Sequence, residues 1–209
     1  LGDSTTSNKL IPVQVKGPNG VGLLTNIVEI KTGYDHSIAL KSDGTVWTWG
    51  ANDNGQLGNN TLVNSLTPVQ VLGSGGVGFL NNVKSISVGQ FHSVALKNDG
   101  TVWSWGLGMN GLLGNGAVVN SKTPVQVKNA DGIGFLTGVK EMELARLTTT
   151  VLKNDGTVWA WGWNLDGTIG DGTKTNRSLP VQVLGTNGVG FLNNVVDISV
   201  GSYNVIALL

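Results

Sequence analysis

The chain has 209 residues, with 13 basic and 13 acidic side chains, two histidines and no cysteine. Zero formal net charge leaves no electrostatic footprint for nucleic acid or an anionic membrane, and the missing cysteines exclude disulfides, thiolate metal sites and thiol chemistry. No apolar run approaches the roughly 18 residues of a membrane span, so membrane insertion is not expected; a charged share of 12% beside 32 glycines points to an all-β chain rich in tight turns.

The predicted elements recur with a fixed period. Pro-Val-Gln-Val starts at Pro12, Pro68, Pro124 and Pro180, and Asp-Gly-Thr-Val-Trp starts at Asp43, Asp99 and Asp155; both step by 56 residues. In chain order, residues 12–15 read as a fourth strand, followed by a glycine-rich return over 17–26. A first strand is expected over 27–32 and a second over 36–41. Asp43 and Gly44 then give a two-residue hairpin signal of type I′, in which both central residues take positive φ. The third strand, 45–50, carries Trp47 and Trp49 two residues apart, hence on one face. A loop with Asn52–Gly55 and Gly58 leads to a fourth strand over 68–71, whose leading proline suits a strand start or an outer edge. The same order repeats, and the last unit stops after its second strand.

A four-stranded unit of this length is the mark of a β-propeller blade, so the expected fold is all-β with four-stranded antiparallel blades. The repeat units fall at 1–56, 57–112, 113–168 and 169–209, within one propeller segment of about 3.7 blades. An arc is expected rather than a closed ring, completed by further blades of a longer chain or by self-association. Six tryptophans occupy the Trp-x-Trp-Gly strands: Trp47, Trp49, Trp103, Trp105, Trp159 and Trp161; all six are assigned to packing between blades.

Most short motifs carry a structural reading. His36 and His92 hold equivalent positions one blade apart, replaced later by Thr148 and Asn204, so they read as backbone-bonding residues between blades rather than a metal pair. Asp43, Asp99 and Asp155 read as turn residues rather than catalytic acids. Gly73-x-Gly75-x-x-Gly78 spells a dinucleotide fingerprint, but a strand follows it instead of a helix. The stretches 52–55 and 166–171 resemble calcium loops without a closing Glu, and the sequons at Asn59 and Asn176 are accidents of an asparagine-rich chain. No catalytic group, cofactor or metal site is assigned.

The quoted repeats carry a family resemblance. Gly33-x-x-His36-Ser37, Asp43-Gly44-x-Val46-Trp47-x-Trp49-Gly50, Asn54-Gly55-Gln56-Leu57-Gly58 and Pro68-Val69 resemble the repeats of the regulator of chromosome condensation family. The match recurs over 89–125 and, more weakly, over 145–181. The resemblance implies a seven-bladed propeller acting as a binding platform, without transferring an activity.

Strand alternation puts the first-to-second and third-to-fourth strand loops on one side, and the Asp-Gly hairpins with the glycine-rich returns on the other. The first side varies between units, and recognition needs differences, so its candidate partner-binding residues are Tyr34, Asp35, Gln90, Phe91, Arg146 and Tyr203. The third unit departs most, reading Glu141-Met142-Glu143-Leu144-Ala145-Arg146 where the second has Ser85-Ile86-Ser87-Val88-Gly89-Gln90, either as drift or as a local binding patch. The expected function is a non-enzymatic protein-binding scaffold on an exported or cell-surface bacterial protein, with a cytoplasmic location as the alternative. Two further readings follow from the resemblance: guanine-nucleotide exchange on a Ran-like GTPase, and inhibition of a secreted enzyme such as a β-lactamase.

Overall fold

The computed structural model describes residues 1–202 and 204–209; Tyr203 lies outside the described residues. Three four-stranded antiparallel sheets follow one another, each in simple meander order. The first comprises β1 (Ile27–Thr32), β2 (His36–Lys41), β3 (Val46–Gly50) and β4 (Ser65–Gln70). The second comprises β5 (Val83–Val88), β6 (His92–Lys97), β7 (Val102–Gly106) and β8 (Ser121–Gln126). The third comprises β9 (Val139–Leu144), β10 (Thr148–Lys153), β11 (Val158–Gly162) and β12 (Arg177–Gln182). A two-stranded sheet, β13 (Asp197–Val200) with β14 (Val205–Leu208), continues the series. No α-helix occurs among the described residues; four three-residue 3₁₀ turns punctuate the connections, as at Ser74–Gly76.

The core lies between blades. β6 shows why: Val94 and Leu96 join the cluster shared with the third blade, while Ala95 between them joins the cluster shared with the first. Alternate residues of one strand are thus buried on opposite faces, which a strand sandwiched between sheets requires. The first interface sets Ile38, Leu40, Val46 and Val71 against Leu80, Val83, Ile86, Ala95 and Trp105. The second repeats it with Val94, Leu96, Val102 and Val127 against Val139, Met142, Val151 and Trp161.

The structure corrects several local expectations. The Asp-Gly hairpin is not type I′, because Gly44 has φ 78° while Asp43 is absent from the left-handed residues. Lys41 C=O accepts from Gly44 N–H, and Lys41 N–H donates to Thr45 C=O, both at 2.9 Å, giving a three-residue loop with left-handed Gly last. Asp43 favours this form because its carboxylate accepts from Thr45 N–H at 3.0 Å and Thr45 Oγ1 at 2.6 Å. Those bonds hold the Asp43 carboxyl below its ordinary pKa. The fourth strand starts at Ser65, not at the proline, so Pro68 lies within an outer strand. The first strand of the last sheet starts at Asp197 rather than at Val195.

The tryptophan pairs are unequal. Trp105 and Trp161 are fully buried and Trp49 is 7% exposed, whereas Trp47, Trp103 and Trp159 are only half-buried. Trp105 and Trp161 donate their indole N–H across the interface to Gln56 C=O (2.9 Å) and Leu112 C=O (3.1 Å). Trp103 and Trp159 pack only against the edge of these clusters, and the half-buried members bond within their own hairpins: Trp103 donates to Thr101 Oγ1 at 3.2 Å, and its ring centre lies 5.7 Å from Lys97 Nζ.

Candidate partner-binding face

Hydrogen bonds fix which connections share a side. Ala51 N–H donates to Asp35 C=O (2.8 Å), Leu107 N–H to Phe91 C=O (3.0 Å) and Trp163 N–H to Leu147 C=O (2.9 Å). Each first-to-second strand loop is thereby tied to the third-to-fourth strand loop of its own blade. On the other side Ser42 N–H donates to Asn26 C=O (2.9 Å) and Val83 N–H to Gly44 C=O (3.2 Å), joining the hairpins to the glycine-rich returns.

The first-to-second strand loops are short because each is closed by one backbone bond, as from Gly89 N–H to His92 C=O at 3.0 Å. A Cβ on Gly89 would lie 2.2 Å from His92 Cε1, so the ring packs directly on the backbone there. The third blade changes both residues together, to Ala145 and Thr148, and a smaller side chain makes room for the methyl group. That part of the third unit's departure is therefore a packing compensation. Thr148 Oγ1 bonds Trp163 C=O at 2.8 Å instead.

Four such loops surround an open recess of about 710 Å³. Tyr34, Gln90 and Arg146 line it from successive blades, with Ser202 from the last sheet. Tyr34 meets Phe91 edge-on, with ring centroids 6.4 Å apart and planes at 65°. Arg146 Nε donates to Gln90 Oε1, while Gln90 N–H donates to Arg146 C=O at 2.9 Å. The structure thus joins Tyr34 to Phe91 and Gln90 to Arg146. Asp35 is exposed beside them, and Tyr203 belongs to the same loop series by sequence, outside the described residues.

The histidines lie beneath this rim. Ser93 Oγ donates to Gln56 C=O at 3.1 Å, so His36 Nε2, 3.0 Å from that hydroxyl, carries the proton. His36 Nδ1 is then a buried acceptor without a partner, and His92 Nδ1 is likewise buried without one. Burial pushes the imidazole pKa down to about 4 for His36; for His92, burial and the neighbouring His36 push it down to about 3. Each ring spans two blades as a neutral strut.

Sequence reasoning missed Asn52 and Asn164. Both are fully buried, and the Asn52 amide nitrogen stands 3.1–3.2 Å from Asn59 Oδ1, Thr61 O, Thr61 Oγ1 and Val63 O. Its carbonyl oxygen accepts from Leu57 N–H at 2.9 Å. Asn164 repeats the arrangement around Asp171, Thr173 and Thr175. One side-chain amide therefore gathers the loop oxygens in each case. The signal was the recurrence of Asn two periods apart, skipping Gly108 in the second unit. The sequon amides are engaged too: Asn59 Oδ1 accepts from Thr61, and the Asn176 amide bonds Asn110 and Asn164. No group of three His, Asp or Glu residues that could hold a metal occurs among the described residues.

With the blades and rim in place, comparison with known proteins is direct. The regulator of chromosome condensation (RCC1) repeat matches residues 1–40, 43–96, 99–140 and 155–208. The chain belongs to the RCC1 repeat family. The ultraviolet-B receptor UVR8 of Arabidopsis thaliana is 30% identical to this RCC1-repeat chain over 189 residues, covering 90% of the chain and 40% of the receptor. The E3 ubiquitin-protein ligase HERC2 of Homo sapiens is 29% identical over 187 residues, which are 88% of this chain but 4% of the ligase. Among solved structures, Prp20p of Saccharomyces cerevisiae superposes with TM-score 0.64 at 21% identity, covering 78% of this chain and 39% of that one. The yeast RCC1 (Prp20) bound to Kap60 gives 0.63 at 24% identity, with 87% and 41% coverage. These likenesses show the propeller fold. The RCC1-repeat chain spans well under half the length of each of these three relatives, Prp20p being represented by two structures.

Proposed function

We propose that this RCC1-repeat chain is a non-enzymatic protein-docking module, and that its partner meets the loop face around the axial recess through Tyr34, Asp35, Gln90, Phe91, Arg146 and Tyr203. One observation carries this reading. The hairpin face repeats the same Asp-to-Thr bonds in blade after blade, at Asp43, Asp99 and Asp155. On the loop face, one set of equivalent positions holds Tyr34, Gln90, Arg146 and Ser202, and the next holds Asp35, Phe91 and Leu147. A face that differs at every step offers a unique imprint, while a face that repeats does not. Support comes also from one solved relative, the yeast RCC1 protein Prp20p, which has binding properties toward Gsp1p and histones and is solved bound to Kap60. We place the chain on an exported or cell-surface protein, which fractionation of the native host checks.

Site-specific photocrosslinking tests the docking face. A crosslinker at Tyr34 or Phe91 is expected to trap a protein partner in the native host, and Arg146→Ala to weaken the trapping. A crosslinker at Asp99 should trap none. Trapping from Asp99 alone would overturn the assignment. Accelerated release of labelled GDP from a Ran-type GTPase would replace the non-enzymatic reading with nucleotide exchange.

A further inference from the structure

We propose that the β3–β4 and β7–β8 loops carry an aliphatic strip that docks a partner protein segment bearing aliphatic side chains and carboxylates. This rests on the loop face being the docking face. Leu62 and Val63 in the first loop are 53% and 72% exposed; Val118 and Val119, one period on, are 63% and 66% exposed. The two loops adjoin directly. Asn60 N–H donates to Lys122 C=O at 2.9 Å, and the Asn120 amide donates to Asn54 Oδ1 at 3.2 Å.

The third blade provides an internal control. Its loop has Lys174 and Thr175 where the others have Leu-Val and Val-Val. Thr175 C=O nevertheless accepts from Asn164 Nδ2 at 3.1 Å, as Val63 C=O accepts from Asn52 Nδ2 at 3.1 Å. The loop forms equally well with polar side chains, so its fold does not require the aliphatic pairs. Exposed apolar side chains on adjoining loops, which the loop fold does not require, mark a surface that another molecule covers.

Charge selects the occupant. Lys122, at the foot of the second loop, and Lys174, which takes the place of Leu62 and Val118 in the third, are exposed and enter no ion pair among the described residues. Asp53 is exposed on the first loop. A segment with aliphatic residues over blades one and two, and its carboxylates toward blades two and three, satisfies both patterns.

A displayed random peptide library, panned on the intact chain, tests the proposal. Enriched peptides should combine several aliphatic residues with Asp or Glu, and should bind the double variant Val63→Ser/Val119→Ser about ten-fold more weakly. The urea midpoint of that variant should not move, since both side chains are exposed. The pair Lys122→Glu/Lys174→Glu should shift selection toward Lys- and Arg-bearing peptides. Absence of enriched peptides, enrichment without acids, or full affinity for the serine pair would overturn the strip. Concentration-dependent self-association abolished by the serine pair would assign it instead to a second copy of the chain. Peptides sensitive to Tyr34→Ala and Phe91→Ala but not to the serine pair would keep the docking face and discard the strip; insensitivity to all four would discard both.

Discussion

Replacing Trp105 and Trp103 separately by Ala measures how the blades cohere, because the two rings lie on one sheet face yet differ in environment. Trp105 is fully buried among Ile38, Val71, Leu80 and Ile86, so truncation leaves a cavity that rigid sheets cannot close. Transfer and cavity effects together cost about 3–5 kcal/mol. Loss of the indole bond to Gln56 C=O adds about 1 kcal/mol and no more, because that carbonyl keeps the Ser93 hydroxyl at 3.1 Å. Trp103 is half-buried, and its N–H bonds Thr101 of its own hairpin. Its removal forfeits partial burial and a half-exposed contact with Lys97, about 1–2 kcal/mol. Urea unfolding followed by far-ultraviolet circular dichroism should therefore separate the two variants by about 3–4 kcal/mol. Equal losses, or a loss below about 1 kcal/mol for Trp105→Ala, would refute the view that the second tryptophan of each pair joins the blades.

Acid should destabilise the fold through the buried histidines. Their folded pKa values, about 4 and about 3, lie below the ordinary 6.5, so the stability they hold is complete above pH 6.5 and is lost as pH falls toward those values. The double change His36→Thr/His92→Thr should flatten the dependence of the urea midpoint between pH 6.5 and pH 4, and an unchanged slope would count against neutral struts. Asp99→Gly should destabilise by about 1 kcal/mol, because it removes the bonds to Thr101 and frees the unfolded backbone; a type I′ turn would instead accept a second glycine with little loss. Asn164→Ala should cost about 2–3 kcal/mol and open the β11–β12 loop to proteolysis first, since Ile-, Thr- and Asp-borne partners of one amide are released together. Cleavage elsewhere before that loop would argue against the amide as its organiser.

The repeat, the strand order and the segregation of loops to two faces could all be read from sequence, because an unbroken period of 56 and hydrophobic alternation are properties of the chain itself. Boundaries were less legible. The fourth strand reaches back to Ser65 because Gly50 pairs with it across a bulge, a partner choice that no local pattern announces. The hairpin type was misread because Asp-Gly serves two kinds of turn, and only the Thr45 bonds to Asp43 select between them. Asn52 was hidden because its acceptors arrive from as far as eleven residues along the chain.

For the candidate face, the sequence by itself determined which positions vary between units, since Tyr34, Gln90 and Arg146 are found by counting the period. Only the tertiary structure decided that Tyr34 meets Phe91, that Arg146 meets Gln90, and that Ala145 compensates for Thr148. It alone separated Trp105 from Trp103, which the sequence renders as equals. The physical reason is that burial belongs to the neighbouring blade. A residue's own strand sets the direction of its side chain, but what stands opposite is supplied from a whole repeat away.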